Sequence, residues 1–236
     1  MVDLTGPATI RLKRSAMGAS QLKKLMRKLG AARPKPGVAR KKKAAASAKP
    51  PADSLPNLLR AATFAARKHH GQMRADGETP YFSHVTRVTL ILVHLFGVHD
   101  EAVLTAALLH DTLEDTATDY DEIAEQFGTL VADYVVLLTK NVMLPKVERE
   151  ADYEARLCRA TEPVMIAKMA DLYDNLSDRI HSPKLHKTAE TAERLLGAFA
   201  PRLETGTGHK AHATLAALLG EIKATRLAAQ SVKAKR

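Results

Sequence analysis

From residue 54 onward the apolar residues recur every three or four positions, and no segment shows the two-residue alternation of a half-buried strand. Such a chain can bury its apolar surface only by packing helix on helix. The spacing predicts an all-α bundle of roughly eight to ten helices. Ser54 can cap a first helix over 56–69, with Leu58, Leu59, Ala62 and Ala65 on its apolar face. A polar turn over 71–79 leads to a helix over 81–96 that Gly97 stops. Asp100 caps a helix running through His110 to Leu113, and Thr118 or Asp119 caps a short one closed by Gly128. Helices over 130–139, 148–159, 163–180, 187–199 and 211–229 complete the set, with Pro163 suited to a first turn. The Leu215, Leu218, Leu219, Ile222 stripe of the last helix reads as core or as a dimer face, which leaves the oligomeric state open.

The core of such a bundle must be aliphatic. Trp is absent and aromatics make up 4% of the 236 residues, against 45% hydrophobic residues in all. That apolar content excludes a wholly disordered chain. Cys158 has no partner for an internal disulfide, which predicts a reducing compartment, the cytoplasm. The longest apolar-rich run, 88–97, contains Thr89 and His94 and falls short of the roughly 20 apolar residues that span a bilayer. No transmembrane segment or signal peptide is therefore expected.

The net charge of +10 is segregated. Residues 1–53 hold fourteen basic and two acidic residues, a net of +12, whereas 54–236 hold 22 basic and 24 acidic residues, a net of −2. Residues 31–51 are rich in Ala, Lys and Pro and read as a disordered linker. Before them, Leu22, Leu25, Met26 and Leu29 stand at helical spacing among lysines, a short basic amphipathic helix. Such a tail can contact RNA or an anionic surface, or serve only to solubilise. The chain thus divides into a basic tail (1–53), a helical body (54–204) and a C-terminal helix with a basic end (205–236).

Polar residues occupy positions that a buried aliphatic bundle does not favour. Ala106, Ala107, Leu108 and Leu109 run straight into His110-Asp111, with Glu114-Asp115 four positions on. In a continuous helix His110 lies over Glu114, and Asp111 over Asp115. Burying such a cluster without a partner is costly, and a divalent metal would supply one; an exposed helix end is the alternative. His84 stands at the start of its helix beside the polar turn, where a lone imidazole is ordinarily structural. Asp171 interrupts an apolar stretch and needs a counter-charge, with Asn175 one turn on; Asp174 and Asp178 read as a solvated face. His84, His110, Asp111 and Asp171 together would form a mixed nitrogen and oxygen site suited to manganese, iron or zinc. Arg74, Lys68 and Lys168 are candidates for matching phosphate charge, with a solvated face the simpler reading of Lys68.

Residues 61–180 resemble the hydrolase domain of the RelA/SpoT-type alarmone enzymes, a branch of the HD-domain metal phosphohydrolases. The resemblance rests on motifs kept in order. They are Ala65-Ala66-Arg67-Lys68-His69-His70-Gly71-Gln72-Met73-Arg74, then Pro80-Tyr81-Phe82-Ser83-His84, then Ala107-Leu108-Leu109-His110-Asp111 with Glu114-Asp115-Thr116. Phe127-Gly128, Leu138-Thr139-Lys140 and Lys168-Met169-Ala170-Asp171 with Asn175 follow. The resemblance implies an HD-domain helical bundle in which His84, His110, Asp111 and Asp171 bind one divalent metal, usually manganese. It implies that Glu114 and Asp115 handle a water and its protons, that Asn175 contacts the nucleotide, and that Arg74 meets base and phosphates. The implied reaction removes the 3′-pyrophosphate of guanosine tetra- or pentaphosphate, leaving GDP or GTP.

Nothing in the chain resembles the family's synthetase domain, so it looks like a stand-alone small alarmone hydrolase. It also departs from the family pattern. Val85 follows His84 where the family has Pro, Leu172 follows Asp171 where many members have Arg, and Ala75 and Asp76 follow Arg74 where a basic residue is common. These changes predict fewer positive groups around the phosphates. Two other functions stay open: an HD phosphohydrolase of another nucleotide (an adenosine alarmone, NADPH or a deoxynucleotide), and a non-catalytic module that binds nucleic acid or a partner through its tail.

Overall fold

Asp100 and Asp119 begin two of the central helices as the spacing predicts. The Asp100 carboxylate accepts the Val103 N–H at 3.0 Å, and the Asp119 carboxylate accepts the Glu122 N–H at 2.9 Å. The computed structural model describes residues 56–178, 180 and 182–234, with side chains to residue 225. The expectations for residues 1–53 and for the Ser54 cap lie outside the described residues.

Ten α-helices cover the described residues. In chain order they are α1 (Asn57–Lys68), α2 (Phe82–Leu90), α3 (Glu101–Leu109), α4 (Thr112–Asp115) and α5 (Tyr120–Phe127). α6 (Thr129–Leu138), α7 (Lys146–Leu157), α8 (Glu162–Asp178), α9 (Leu185–Phe199) and α10 (Gly206–Ala234) follow. No strand forms among the described residues; Met73 and Pro80 make one isolated bridge. No described helix is long and apolar enough to cross a membrane.

Two departures from the expected elements matter. α2 passes into a π-helical segment, Ile91–Phe96, before Gly97 ends it at a φ of 80°, a left-handed turn that glycine adopts without strain. The helix expected from Asp100 to Leu113 is broken at His110-Asp111 into α3 and the single turn α4. Side chains bond to carbonyls at the break. Thr112 Oγ1 donates to the Leu109 carbonyl at 2.6 Å and His110 Nδ1 lies 2.8 Å from the Ala107 carbonyl, so both acceptors are taken by side chains.

Packing forms two apolar clusters. The larger joins Leu92 and Phe96, α8 residues such as Met169 and Leu176, Phe199 of α9, and Ala211, Leu215, Leu219 and Ile222 of α10. The smaller joins Ala61 and Ala65 of α1, Val85 of α2, Leu108 and Leu109 of α3, and Ile123, Phe127 and Val131. His84 precedes Val85 of the smaller cluster, His110 follows its Leu109, and Asp171 follows Ala170 of the larger one. The polar residues singled out above therefore meet at the seam between the clusters.

Arg156 of α7 is 2% exposed and holds the end of α6. Its guanidinium donates to the carbonyls of Val136 at 3.3 Å and Thr139 at 2.9 Å, while Tyr153 Oη donates to that of Leu138 at 2.8 Å. The Leu138 and Thr139 carbonyls lie at the helix end, where intrahelical partners run out, while that of Val136 also accepts the Thr139 N–H at 3.2 Å. Arg156→Ala is expected to lower unfolding free energy by about 3 kcal/mol, the cost of stranding buried acceptors, measurable by denaturant titration.

Candidate active site

His84 projects from the first turn of α2, His110 and Asp111 from the break between α3 and α4, and Asp171 from the middle of α8. His84 Nε2 lies 3.2 Å from Asp171 Oδ1 and 3.6 Å from Asp111 Oδ2. His110 Nε2 lies 3.0 Å from Asp111 Oδ2 and 3.8 Å from Asp171 Oδ1. Donor atoms of His84, His110 and Asp111 all fall within 4.8 Å of one another, a spacing that could hold a metal ion.

The far side of each imidazole is already engaged. His84 Nδ1 lies 2.7 Å from Asp174 Oδ2, and His110 Nδ1 lies 2.8 Å from the Ala107 carbonyl. Both partners accept, so each Nδ1 carries a proton and each Nε2 faces the centre, the nitrogen a ligating histidine would offer a metal. His110 Nε2 is buried and makes no hydrogen bond despite its nearness to Asp111. A buried orphan nitrogen facing two carboxylates fits a bound cation. Burial lowers the His110 pKa, but the Asp111 carboxylate more than offsets this and carries it to about 9. A metal bound to Nε2 would have to displace a proton held there.

Around this cluster the carboxylates differ in their support. Tyr81 Oη donates to Asp111 Oδ2 at 2.5 Å. Lys168 Nζ donates to Asp171 Oδ2, and Asn175 Nδ2 to Asp171 Oδ1, each at 2.6 Å. Glu114 accepts the Lys140 backbone N–H at 3.0 Å, and Gln72 Nε2 donates to the Asp115 carbonyl at 2.8 Å. Burial raises the Glu114 pKa, while the Lys140 N–H opposes the rise and Asp111 adds to it. Desolvation and then the Asp111 charge raise Asp115. Two carboxyl groups beside the cluster are therefore readier to hold a proton than ordinary carboxylates.

A cavity of about 990 Å³ opens over these groups, at the upper end of the usual range for small-molecule sites. Arg74 lines it, but its guanidinium lies 2.6 Å from Asp178 Oδ2 and 3.6 Å from Asp174 Oδ2. Lys168 and Asn175 line it too, both turned to Asp171. The sequence predicts few positive groups around the phosphates, yet Lys140 and Arg194 line the cavity, and Lys146, Lys184 and Lys187 enter the lining from α7 and the start of α9. None of these three has an ion-pair partner among the described residues. His186, in contrast, is exposed beside Glu190, and His181 lies outside the described residues.

Asp174 corrects the sequence reading most directly. It is fully buried rather than solvated, because three groups need it: His84 Nδ1, the Arg87 guanidinium with Nε at 2.7 Å, and Arg74. Its position was legible. Asp171, Asp174 and Asp178 are spaced i, i+3, i+7 on one helical face, so a buried Asp171 draws the others toward the same seam. Tyr81 and Arg87 gave no separate signal, since their contacts cross between elements.

A family model described as an HD domain matches residues 61–201. Human guanosine-3′,5′-bis(diphosphate) 3′-pyrophosphohydrolase MESH1 is 45% identical over 122 residues, 51% of this chain and 68% of that protein. The guanosine-3′,5′-bis(diphosphate) 3′-pyrophosphohydrolase of Aquifex aeolicus is 39% identical over 151 residues, 62% of this chain and 21% of that protein. A solved structure described as a metazoan ortholog of SpoT that hydrolyzes ppGpp superposes with a TM-score of 0.62 at 28% identity, covering 76% of this chain and 98% of that one.

Proposed function

The chain belongs to the HD-domain family, among relatives of the guanosine-3′,5′-bis(diphosphate) 3′-pyrophosphohydrolases, and on that premise we propose that it hydrolyses guanosine 3′,5′-bis(diphosphate) to GDP and pyrophosphate. Support comes first from the two imidazole Nε2 atoms that face Asp111 and Asp171 with His110 Nε2 unbonded. His84, His110, Asp111 and Asp171 would hold one divalent metal; the mixed imidazole and carboxylate donors suit manganese, iron or zinc, and we assign manganese because the resemblance to the alarmone hydrolases implies it. When bound, such an ion lowers the pKa of a water and offsets phosphate charge.

The remaining chemistry falls to side chains. Water adds to the phosphorus joined to the ribose 3′ oxygen, the bond between that phosphorus and the 3′ oxygen breaks, and pyrophosphate leaves the nucleoside diphosphate. One water proton must be accepted and one supplied to the 3′ oxygen. Glu114 and Asp115 are assigned both transfers, because burial raises their pKa values and makes each carboxyl group readier to give as well as take a proton. Lys168 and Asn175 orient Asp171 and border the nucleotide, with Arg74, Lys146, Lys184 and Lys187 opposite its phosphate charge. Residues 54–204 carry this chemistry in our division of the chain, with Ala211, Leu215, Leu219 and Ile222 of α10 packed on the core. The basic segment 1–53 is assigned a salt-sensitive contact with RNA or an anionic surface in the cytoplasm.

Arg74 Nη2 donates to Asp178, whose charge competes with a phosphate for the guanidinium. Asp178→Asn removes that competition and is expected to lower KM about fivefold, the equivalent of ~1 kcal/mol, with kcat little changed. An unchanged KM would take Arg74 out of the phosphate site. The reading as a whole is tested with manganese-loaded protein and a panel of guanosine bis(diphosphate), an adenosine analogue, NADPH and deoxynucleoside triphosphates. Pyrophosphate should appear fastest from the guanosine compound; faster turnover of another member would reassign the substrate.

A further inference from the structure

The His84 ring is gripped at both nitrogens by consecutive turns of α8. Asp171 Oδ1 lies 3.2 Å from Nε2, and Asp174 Oδ2 lies 2.7 Å from Nδ1. The two helices are in register here: three residues separate His84 from Arg87 on α2, as they separate Asp171 from Asp174 on α8. Each helix thus sends one residue to the cluster and one to the support beneath it.

Asp174 is 0% exposed, and a buried carboxylate persists only when paired and hydrogen-bonded. His84 Nδ1 takes Oδ2 at 2.7 Å, whereas Oδ1 makes no hydrogen bond and is met by Arg87 as an ion pair. Arg87 Nε lies 2.7 Å from Asp174 Oδ1 and its Nη1 lies 3.7 Å from Asp178 Oδ1, while Arg74 stands farther from Asp174 at 3.6 Å. The Arg87 side chain is 46% exposed and is not among the residues lining the catalytic cavity.

We propose that Asp174 and Arg87 are positioning residues for the metal site: Asp174 fixes the His84 ring and its Nδ1–H tautomer, and Arg87, outside the cavity, holds Asp174 in place. A side chain that never meets the nucleotide then governs how tightly the metal is bound. The inference rests on the reading of His84 as a metal ligand. Carboxylate partners of ligating imidazoles fix ring orientation and basicity, and their loss typically costs about 10- to 100-fold in metal affinity.

Calorimetric titration with manganese of the metal-free full-length protein and of Arg87→Ala and Arg87→Lys tests it. Arg87→Ala should bind manganese at least about tenfold more weakly than wild type, with Arg87→Lys between the two because charge returns without the guanidinium fork. Asp174→Ala should weaken binding further; if it does not fold, Arg87→Ala on its half-exposed side chain carries the test. Nitrogen-15 ring signals of His84 in the metal-free protein at alkaline pH give a readout independent of metal. Wild type should show the proton on Nδ1, and Arg87→Ala a mixture of tautomers. Affinity within twofold of wild type in Arg87→Ala, or a wild-type His84 without a proton on Nδ1, would overturn the proposal. A wild type that binds no manganese would defeat the ligand reading instead, and the ring signals alone would then decide the positioning claim.

Discussion

Alanine at position 111 is expected to strip the protein of bound metal and to take nucleotide turnover to background while its helical signal survives. The Asp111 carboxylate lies 3.0 Å from His110 Nε2 and 3.6 Å from His84 Nε2, so its loss opens the cluster between both imidazoles at once. It also deprives Tyr81 Oη of its 2.5 Å partner. Three donors would remain, with one negative charge fewer to offset the cation, and metal affinity depends on both. Elemental analysis after gel filtration reads the metal, and chelation of wild type should reproduce the same loss of turnover. Full metal occupancy in Asp111→Ala would remove Asp111 from the ligand set. The main apolar cluster does not include this position, so circular dichroism should change little.

Glu114→Gln is expected to lower kcat by about a hundredfold or more while metal content stays at the wild-type level, the scale for a positioned acid–base group. Glutamine keeps an oxygen for the Lys140 N–H that Glu114 accepts at 3.0 Å, so the side chain's place is conserved and only its proton chemistry is lost. The pH profile gives the sign. Burial raises the Glu114 pKa, so the ionised form that accepts a proton is lost at a higher pH than the ordinary glutamate value of about 4.3. The acid limb of kcat/KM in wild type should therefore lie above that value, with activity falling as pH drops through it. Unchanged turnover in Glu114→Gln would make the residue a structural support for the Lys140 segment.

Much of the fold follows from spacing. The helical period and the Asp100, Asp119 and Gly97 signals are local properties, and the structure uses all three as read. The break at His110 is also a local event, where the Thr112 and His110 side chains bond to the Leu109 and Ala107 carbonyls, and apolar periodicity carries no trace of it. The π-helical segment Ile91–Phe96 lies inside an unbroken apolar run, where nothing marks a change of hydrogen-bond register.

The candidate site was legible in part for the same reason. His110, Asp111 and Asp171 stand out because aliphatic neighbours surround them, and the structure brings all three to one seam with His84. Roles that depend on pairing were not legible. Asp174 and Asp178 are chemically alike and adjacent on the helix face, yet one is buried beneath His84 and the other is 26% exposed beside Arg74. Lys146 comes to the cavity from a segment far in sequence from Lys184 and Lys187, so no local pattern unites the three.

The reaction itself can be followed atom by atom. Metal-loaded protein is incubated with guanosine 3′,5′-bis(diphosphate) in water enriched in oxygen-18, and the products are separated and weighed by mass spectrometry. Attack of water on the phosphorus joined to the 3′ oxygen predicts unlabelled GDP and pyrophosphate carrying a single solvent oxygen. Release of orthophosphate, label in the nucleotide, or no cleavage with metal bound would contradict a 3′-pyrophosphohydrolase at this site.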